Sequence, residues 1–305
     1  MSRRLALFGV ALALVMAGCA NNTAGRPEPV PEAAVRSTTP PQAPTATPPP
    51  PPSTTPAPTT SAATEPTGAQ QQSARWIPKP GTPWQWQLTN PVDTSVDVPV
   101  YDVDSTYTDA ATVAALHAKG RKAICYVNAG AWENFRPDKD AFPSTILGAQ
   151  DGWPGELWLD IRQIAVLRPI MAARFAVCRA KGFDGIEADL VDSYTNQTGF
   201  PLTAADQLRY NLMLAGLAHG LGLSIGLKND LGQVPQLVGV FDFAIDEQCF
   251  QYSECDRLTP FVKAGKAVFE VEYQLSNDQF CAQANAMGFS AMRKNTALDP
   301  SRWPC

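Results

Sequence analysis

Residues 182–190 read Gly182-Phe183-Asp184-Gly185-Ile186-Glu187-Ala188-Asp189-Leu190. They follow an amphipathic stretch, Leu167–Lys181, and a glycine just past the last periodic residue commonly ends a helix. Beyond Gly182 the period changes from 3.6 to 2. Ile186, Ala188 and Leu190 share one parity, and Glu187 and Asp189 share the other, so the apolar residues face the helices and the two acids face the opposite side of the sheet. The same unit repeats along the chain. Helical stretches at Ala110–Lys119 and Ala204–His219 also run into glycines, Gly120 and Gly220. Candidate strands are Trp84–Leu88, Val98–Val103, Lys122–Asn128, Leu157–Ile161, Asp184–Leu190, Ser224–Asn229, Phe241–Ile245, Ala267–Tyr273 and Ser290–Lys294. Strand alternating with helix predicts parallel βαβ units. About eight such units predict an α/β fold, a TIM-like (β/α)8 barrel in a single domain. One of the nine candidates is then surplus.

Residues 76–305 are long enough for that barrel, and what precedes them has a different character. Residues 1–18 read as an export leader: Arg3 and Arg4, an apolar run from Leu5 to Met16, then Ala17-Gly18 before Cys19. The run is too short for a membrane span. A cysteine directly after Ala-Gly resembles a bacterial lipobox, which implies cleavage before Cys19 and lipidation of its thiol. The expected product is an exported lipoprotein anchored to the outer face of the cell membrane. Residues 19–75 read as a disordered Pro/Thr-rich linker, since half of the chain's 28 prolines lie between Pro27 and Pro66. Such a composition cannot bury apolar surface and favours extended polyproline conformation.

Charge and residue counts exclude several chemistries. The formal net charge of −5 becomes −7 once Arg3 and Arg4 leave with the leader, which disfavours nucleic acid and suits a cationic ligand. No dinucleotide fingerprint and no phosphate loop occur, and no cofactor is expected. The only histidines, His117 and His219, sit beside predicted helix C-termini, where histidine complements the helix dipole. Ser-His-Asp catalysis and histidine-ligated metals are therefore disfavoured. After Cys19 six cysteines remain, and in an exported chain they predict disulfides. The short loop between them points to Cys249–Cys255, with Cys281–Cys305 and Cys125–Cys178 completing one of fifteen connectivities.

Carboxylates are left to carry the chemistry. Strand parity turns Glu187 and Asp189 into the barrel, and also Asp160 with Trp158, Glu270 with Glu272, Lys228, and Asp102 at the end of its strand. Acids at the C-terminal ends of several barrel strands form a catalytic mouth, and crowded carboxylates raise one another's pKa, as a general acid requires. Glycoside hydrolysis uses such a pair. Trp132, Trp153, Tyr126 and Tyr194 lie in or near the same loops and offer faces for sugar rings.

The stretches Gly182–Asp189, Gly226-Leu227-Lys228-Asn229-Asp230, Asp246-Glu247-Gln248-Cys249-Phe250 and Gly265–Tyr273 resemble the endo-α-1,4-polygalactosaminidases, glycoside hydrolase family 114. Trp84–Leu88 and Asp151-Gly152-Trp153-Pro154-Gly155-Glu156 resemble them too. The resemblance implies a TIM-like barrel that hydrolyses an α-1,4-linked galactosamine-containing polysaccharide; the chain is expected to be a monomer. The resemblance places the catalytic acids at Asp189 and Glu247 and sugar contacts at Asp102, Tyr126, Asp160, Lys228, Asn229 and Glu272; Glu187, turned inward by parity, is expected to join the sugar contacts. The family reads Glu-Pro-Asp-Asn where this chain has Glu187-Ala188-Asp189-Leu190. That departure motivates a second reading, a non-catalytic, surface-tethered polysaccharide-binding protein. Parity through Phe243 and Ile245 points Glu247 outward and Asp246 inward, so Asp246 competes with Glu247 for the acid/base role.

Overall fold

The computed structural model describes residues 75–305. The leader, Cys19 and the proline-rich stretch lie outside the described residues. The strands are β1 (Trp84–Gln87), β2 (Val100–Asp104), β3 (Lys122–Asn128), β4 (Ala131–Glu133), β5 (Leu147–Gln150), β6 (Glu156–Leu159), β7 (Gly185–Asp189), β8 (Ser224–Lys228), β9 (Phe243–Glu247), β10 (Val268–Glu272), β11 (Ser290–Arg293) and β12 (Trp303–Pro304). The helices are α1 (Ala110–Ala118), α2 (Ile164–Lys181), α3 (Ala204–Gly220), α4 (Val234–Leu237), α5 (Thr259–Lys263) and α6 (Asn277–Met287). The main sheet runs β1-β2-β3-β7-β8-β9-β10-β11, all parallel, and β12 adds antiparallel to β11. Its two ends meet through side chains: Trp84 Nε1 donates to the Ser290 carbonyl at 2.8 Å, and Lys294 Nζ donates to Gln85 Oε1 at 3.3 Å.

The surplus candidate strand is Leu157–Ile161. Leu157–Leu159 of it fall in β6, which sits in a separate antiparallel sheet, β4-β6-β5, inserted between β3 and α2. The physical reason lies in the turn before it. Asp151–Gly155 holds glycines at φ +113° and +89° and joins β5 to β6 directly. A parallel neighbour would require a crossover of a dozen residues or more, so this short link makes a hairpin. Asp160 consequently leaves the barrel. Its carboxylate accepts from Arg162 Nε at 2.7 Å, Arg162 Nη2 at 2.9 Å and Gln163 Nε2 at 3.2 Å, just ahead of α2.

Two apolar layers flank the barrel wall. The outer one joins Tyr101, Val103, Cys125, Ile186, Ala188, Ile225, Leu227, Ala244 and Val268 to helix residues such as Leu116, Phe175 and Leu214. The inner one joins Trp84, Trp86, Val100, Ile124, Phe243, Ile245, Phe269, Val271 and Met292. Only the barrel interior brings β1, β3, β9 and β10 side chains together. Trp84 packs on Phe269 at 4.7 Å between ring centroids, and Phe269 meets Phe243 edge-on at 5.8 Å. The large rings fit because the facing positions are bare: a Cβ on Gly226 would lie 2.3 Å from the Phe243 ring.

This inner plug corrects the parity reading on β9 and β10. Large apolar residues there face inward, so Glu247 shares the inward side with Phe243 and Ile245. Asp246, Glu270 and Glu272 face the outer layer. Apolar parity marks the helix side of a strand only where the barrel interior is polar. In β9 and β10 the interior is apolar at its base and polar at its mouth.

Three disulfides tie this frame together. Cys125–Cys178 pins α2 to β3, Cys249–Cys255 closes the loop after β9, and Cys281–Cys305 ties the last residues to α6. The helix ends follow local chemistry. Thr203 and Asp206 form a capping box at the start of α3, Ser276 and Gln279 form another at α6, and Gly182 ends α2 at φ +94°.

Candidate active site

The mouth is built from inward residues near the C-terminal ends of the strands. Tyr126 on β3, Asp189 on β7, Lys228 on β8 and Glu247 on β9 converge there, with Tyr273 one residue past β10. Tyr126 donates its hydroxyl to Asp189 Oδ2 at 2.8 Å. Lys228 Nζ donates to Asp189 Oδ1 at 3.0 Å and to Glu247 Oε2 at 2.6 Å. Tyr273 donates to Glu247 Oε1. The ammonium also stands 5.3 Å from the centroid of the Trp86 ring, within cation–π range. Burial alone would push the Lys228 pKa down. The charges of Asp189, Glu247 and Glu187 outweigh it and hold the lysine well above its usual value.

Asp102 and Glu187 lie beneath this layer, and neither lines the cleft. Their carboxyls contact each other, and all four oxygens lack a donor. Two adjacent buried carboxylates with no donor are compatible only with a proton held between them. Burial pushes Asp102 up to about 8. Burial and then the Asp102 charge push Glu187 well above the usual carboxylate range. The pair therefore carries less than its formal charge under Lys228.

The cleft above has a volume of about 460 Å³ and is lined by Trp86, Tyr126, Trp153, Glu156, Asp189, Lys228, Asn229, Glu247 and Tyr273. Trp153 is 62% exposed on the rim. Asn229 turns its side chain back, and its Oδ1 accepts the Glu247 amide at 3.1 Å. Four non-glycine residues with positive φ sit just past three successive strands: Leu190 (+57°), Asn229 (+52°), Asp230 (+43°) and Gln248 (+66°). Such conformations cost energy and gather at functional sites.

Of the positions expected from the sequence, the structure gathers Tyr126, Asp189, Lys228, Asn229 and Glu247 around one cleft and places Asp102 and Glu187 under its floor. It does not bring Asp160 or Glu272 there. Glu272 is buried on the outer face, where its Oε1 accepts the amides of Phe250 and Gln251 at 2.9 and 3.1 Å. Three lining residues, Trp86, Tyr273 and Glu156, were not assigned from the sequence. Neither Trp86 nor Tyr273 was readable from parity, because the large apolar residues on their strands, Trp84, Phe269 and Val271, face inward and not toward the helices. Glu156 reaches the site from the inserted sheet, where it accepts from Asn128 Nδ2 at 3.0 Å. Burial, and then Asp151, push it up to about 8. Of the other aromatics, Tyr194 lines an adjoining cavity, and Trp132 donates to the Lys139 carbonyl.

Comparison with known proteins places this geometry. Ega3 of Aspergillus fumigatus, solved in complex with galactosamine, is 41% identical, with a TM-score of 0.72 over 76% of this chain and 98% of that one. The glycoside hydrolase domain of PelA from Pseudomonas aeruginosa shares the fold at 16% identity, with a TM-score of 0.56 over 72% of this chain and 96% of that one. An uncharacterised protein of Deinococcus radiodurans is 28% identical over 226 residues, 62% of this chain and 71% of its own length. The model of glycoside hydrolase family GH114 matches residues 65–305. The chain belongs to that family and is a glycoside hydrolase.

Proposed function

We propose that the barrel is an endo-acting hydrolase of α-1,4-linked galactosamine polymers, with Asp189 as nucleophile and Glu247 as general acid and base. The observation that carries this reading is the shared lysine. Because Lys228 Nζ contacts both acids, Asp189 Oδ1 and Glu247 Oε2 can be no farther apart than the sum of those two contacts, 5.6 Å. Retaining glycosidases hold their carboxyls about 5–5.5 Å apart, and inverting ones roughly 6.5–9.5 Å. The short spacing supports retention. In the first step Glu247 protonates the glycosidic oxygen as Asp189 attacks the anomeric carbon, forming a covalent glycosyl-enzyme. Glu247, now ionised, then takes a proton from the water that releases the sugar. Tyr126 and Lys228 hold the Asp189 carboxylate in line, and Trp86 and Trp153 offer rings to the sugar.

The galactosamine bound to Ega3, together with the acid-rich mouth, supports the cationic substrate. The test is incubation of the purified domain with partly deacetylated galactosamine polymer. New reducing ends and internal-cleavage products are expected. Asp189→Asn and Glu247→Gln are each expected to reduce product release by at least about a hundredfold. Full activity in either variant overturns the pair. Binding without product release in the unaltered domain supports the non-catalytic reading instead. We also propose that lipid on Cys19 anchors the enzyme at the outer face of the cell membrane. Cys19→Ser is then expected to move it to the soluble fraction, and continued membrane association argues against the anchor.

A further inference from the structure

The hairpin that joins β5 to β6 stands at the rim of the cleft and carries Trp153 in its turn. Its antiparallel register pairs Gln150 with Leu157, so one step nearer the turn Asp151 stands opposite Glu156. Both residues hold the tryptophan. Asp151 Oδ1 accepts the Trp153 amide at 2.9 Å, and the Glu156 amide donates to the Trp153 carbonyl at 3.2 Å. The backbone under the exposed indole thus hangs on these two acids. The glycines between them, Gly152 and Gly155, add no side chain to stiffen the turn. The Asn134 amide fixes the β6 side by donating to the Gly155 carbonyl at 2.9 Å. The β5 side, with Trp153, depends on Asp151.

Carboxyl faces carboxyl across this hairpin. Asp151 Oδ2 is sealed from water and has no hydrogen-bond donor. Glu156 Oε2 accepts from Asn128 Nδ2 at 3.0 Å. The other charges that face Glu156 are also acidic, Glu133 on β4 and Asp189 on β7. Arg136 is bonded to Glu133 and Asp104, Arg174 to Asp138, and Lys228 to Asp189 and Glu247, so none of these cations is left for the hairpin acids. Two ionised carboxyls in opposite positions repel. One proton held between them satisfies Asp151 Oδ2 and replaces the repulsion with a strong charge-assisted bond. Burial, and then the bond to Asp151, push Glu156 up to about 8, so at neutral pH the proton is in place.

We propose that Asp151 and Glu156 form a proton-sharing latch that positions Trp153 as a sugar platform at the cleft rim, and that the latch opens when its proton leaves in alkaline solution. Asp151 is a positioning residue, because it acts through Trp153. Opening affects binding more than chemistry, since Asp189 and Glu247 keep their own partners, Tyr126, Lys228 and Tyr273. The platform role rests on the glycosidase reading, whereas the latch itself does not.

The experiment follows tryptophan fluorescence of the protein from pH 5 to 10 and subtracts the signal of Trp153→Phe, which isolates Trp153 from the other tryptophans. A transition near pH 8 is expected. Asp151→Asn keeps the Oδ1 acceptor and supplies its own N–H toward Glu156, so the latch stays closed and the transition should vanish. Glu156→Gln, read by fluorescence alone, supplies the donor from the other side and should abolish it too. In parallel, KM and kcat for galactosamine polymer are measured at pH 6 and pH 9. The rise in KM between them should be about fivefold larger in the unaltered protein than in Asp151→Asn, with the same change in kcat in both. Ionisation of the polymer itself affects the two proteins equally and cancels. Absence of the transition in the unaltered protein overturns the proposal, as does its persistence in either folded variant. If the transition behaves as expected but no reducing ends form at any pH, the latch stands and the glycosidase reading fails. If cleavage proceeds while Trp153 reports no transition, the latch fails alone. If the transition is as expected but KM changes alike in both proteins, Trp153 is not a sugar platform and the positioning role fails.

Discussion

Leu190 follows Asp189 with φ at +57°, a conformation that costs an ordinary L-residue roughly 1–2 kcal/mol and that asparagine visits more readily. The reason for the conformation is the close approach of Gly130, on which an added Cβ would lie 1.8 Å from the Leu190 carbonyl oxygen. The backbone at 190 is held by that approach and not by its own side chain. The family pattern places asparagine here, and the geometry explains why. Leu190→Asn should raise stability by about 0.5–1 kcal/mol, read as a higher denaturant midpoint at unchanged slope. An equal or lower midpoint would show that the leucine side chain offsets the backbone cost. Ala188 is different: it is fully buried in the outer apolar layer, away from the cleft. Of the two departures, only residue 190 borders the substrate space.

At the scale of elements, β9 and its following loop carry Glu247, and β10 holds that loop in place. Glu272 binds the amides of Phe250 and Gln251, and Cys249–Cys255 closes the same segment. Glu270 lies against Glu272, and burial followed by the Glu272 and Asp246 charges pushes it well above the carboxylate range. These acids act on the loop from behind. Glu272→Ala should therefore lower kcat with little change in KM and speed amide exchange at Phe250 and Gln251, at a cost of about 1–3 kcal/mol. Glu272→Gln keeps an acceptor and should restore most of the protection. A rise in KM alone would mean that Glu272 touches substrate after all. Periodicity located β9 and β10 in the sequence, but it could not tell which face was the interior. A base filled by Phe243, Phe269 and Trp84 makes the apolar side the inner one, and that filling depends on Gly226 on a neighbouring strand.

The whole molecule concentrates protonated carboxyls, and this sets how its stability depends on pH. Asp102, Glu156 and Asp230 are pushed up to about 8, and Asp192 to about 6, with burial the leading cause in each. In the unfolded chain such groups titrate near 4. Between about pH 4 and 8 the folded state therefore binds more protons than the unfolded state, and stability falls as pH rises, by at most about 1.4 kcal/mol per pH unit for each group. Below that window the sign reverses, because Asp138 and Asp160, held low by Arg174 and Arg162 against their own burial, lose their ion pairs. Tm by calorimetry should be higher at pH 5 than at pH 8. A flat or rising profile over that range would contradict the proton shared by Asp102 and Glu187. The sequence by itself determined the barrel class, the acids of β7 and the scarcity of histidine, because periodicity and residue counts are local properties that survive without coordinates. Only the tertiary structure decided that Leu157–Ile161 leaves the barrel, that Glu247 and not Asp246 faces the cleft, and that Asp102 and Glu187 lie beneath it. Each of those outcomes depends on what fills the space across the barrel, and such contacts join residues far apart in the chain.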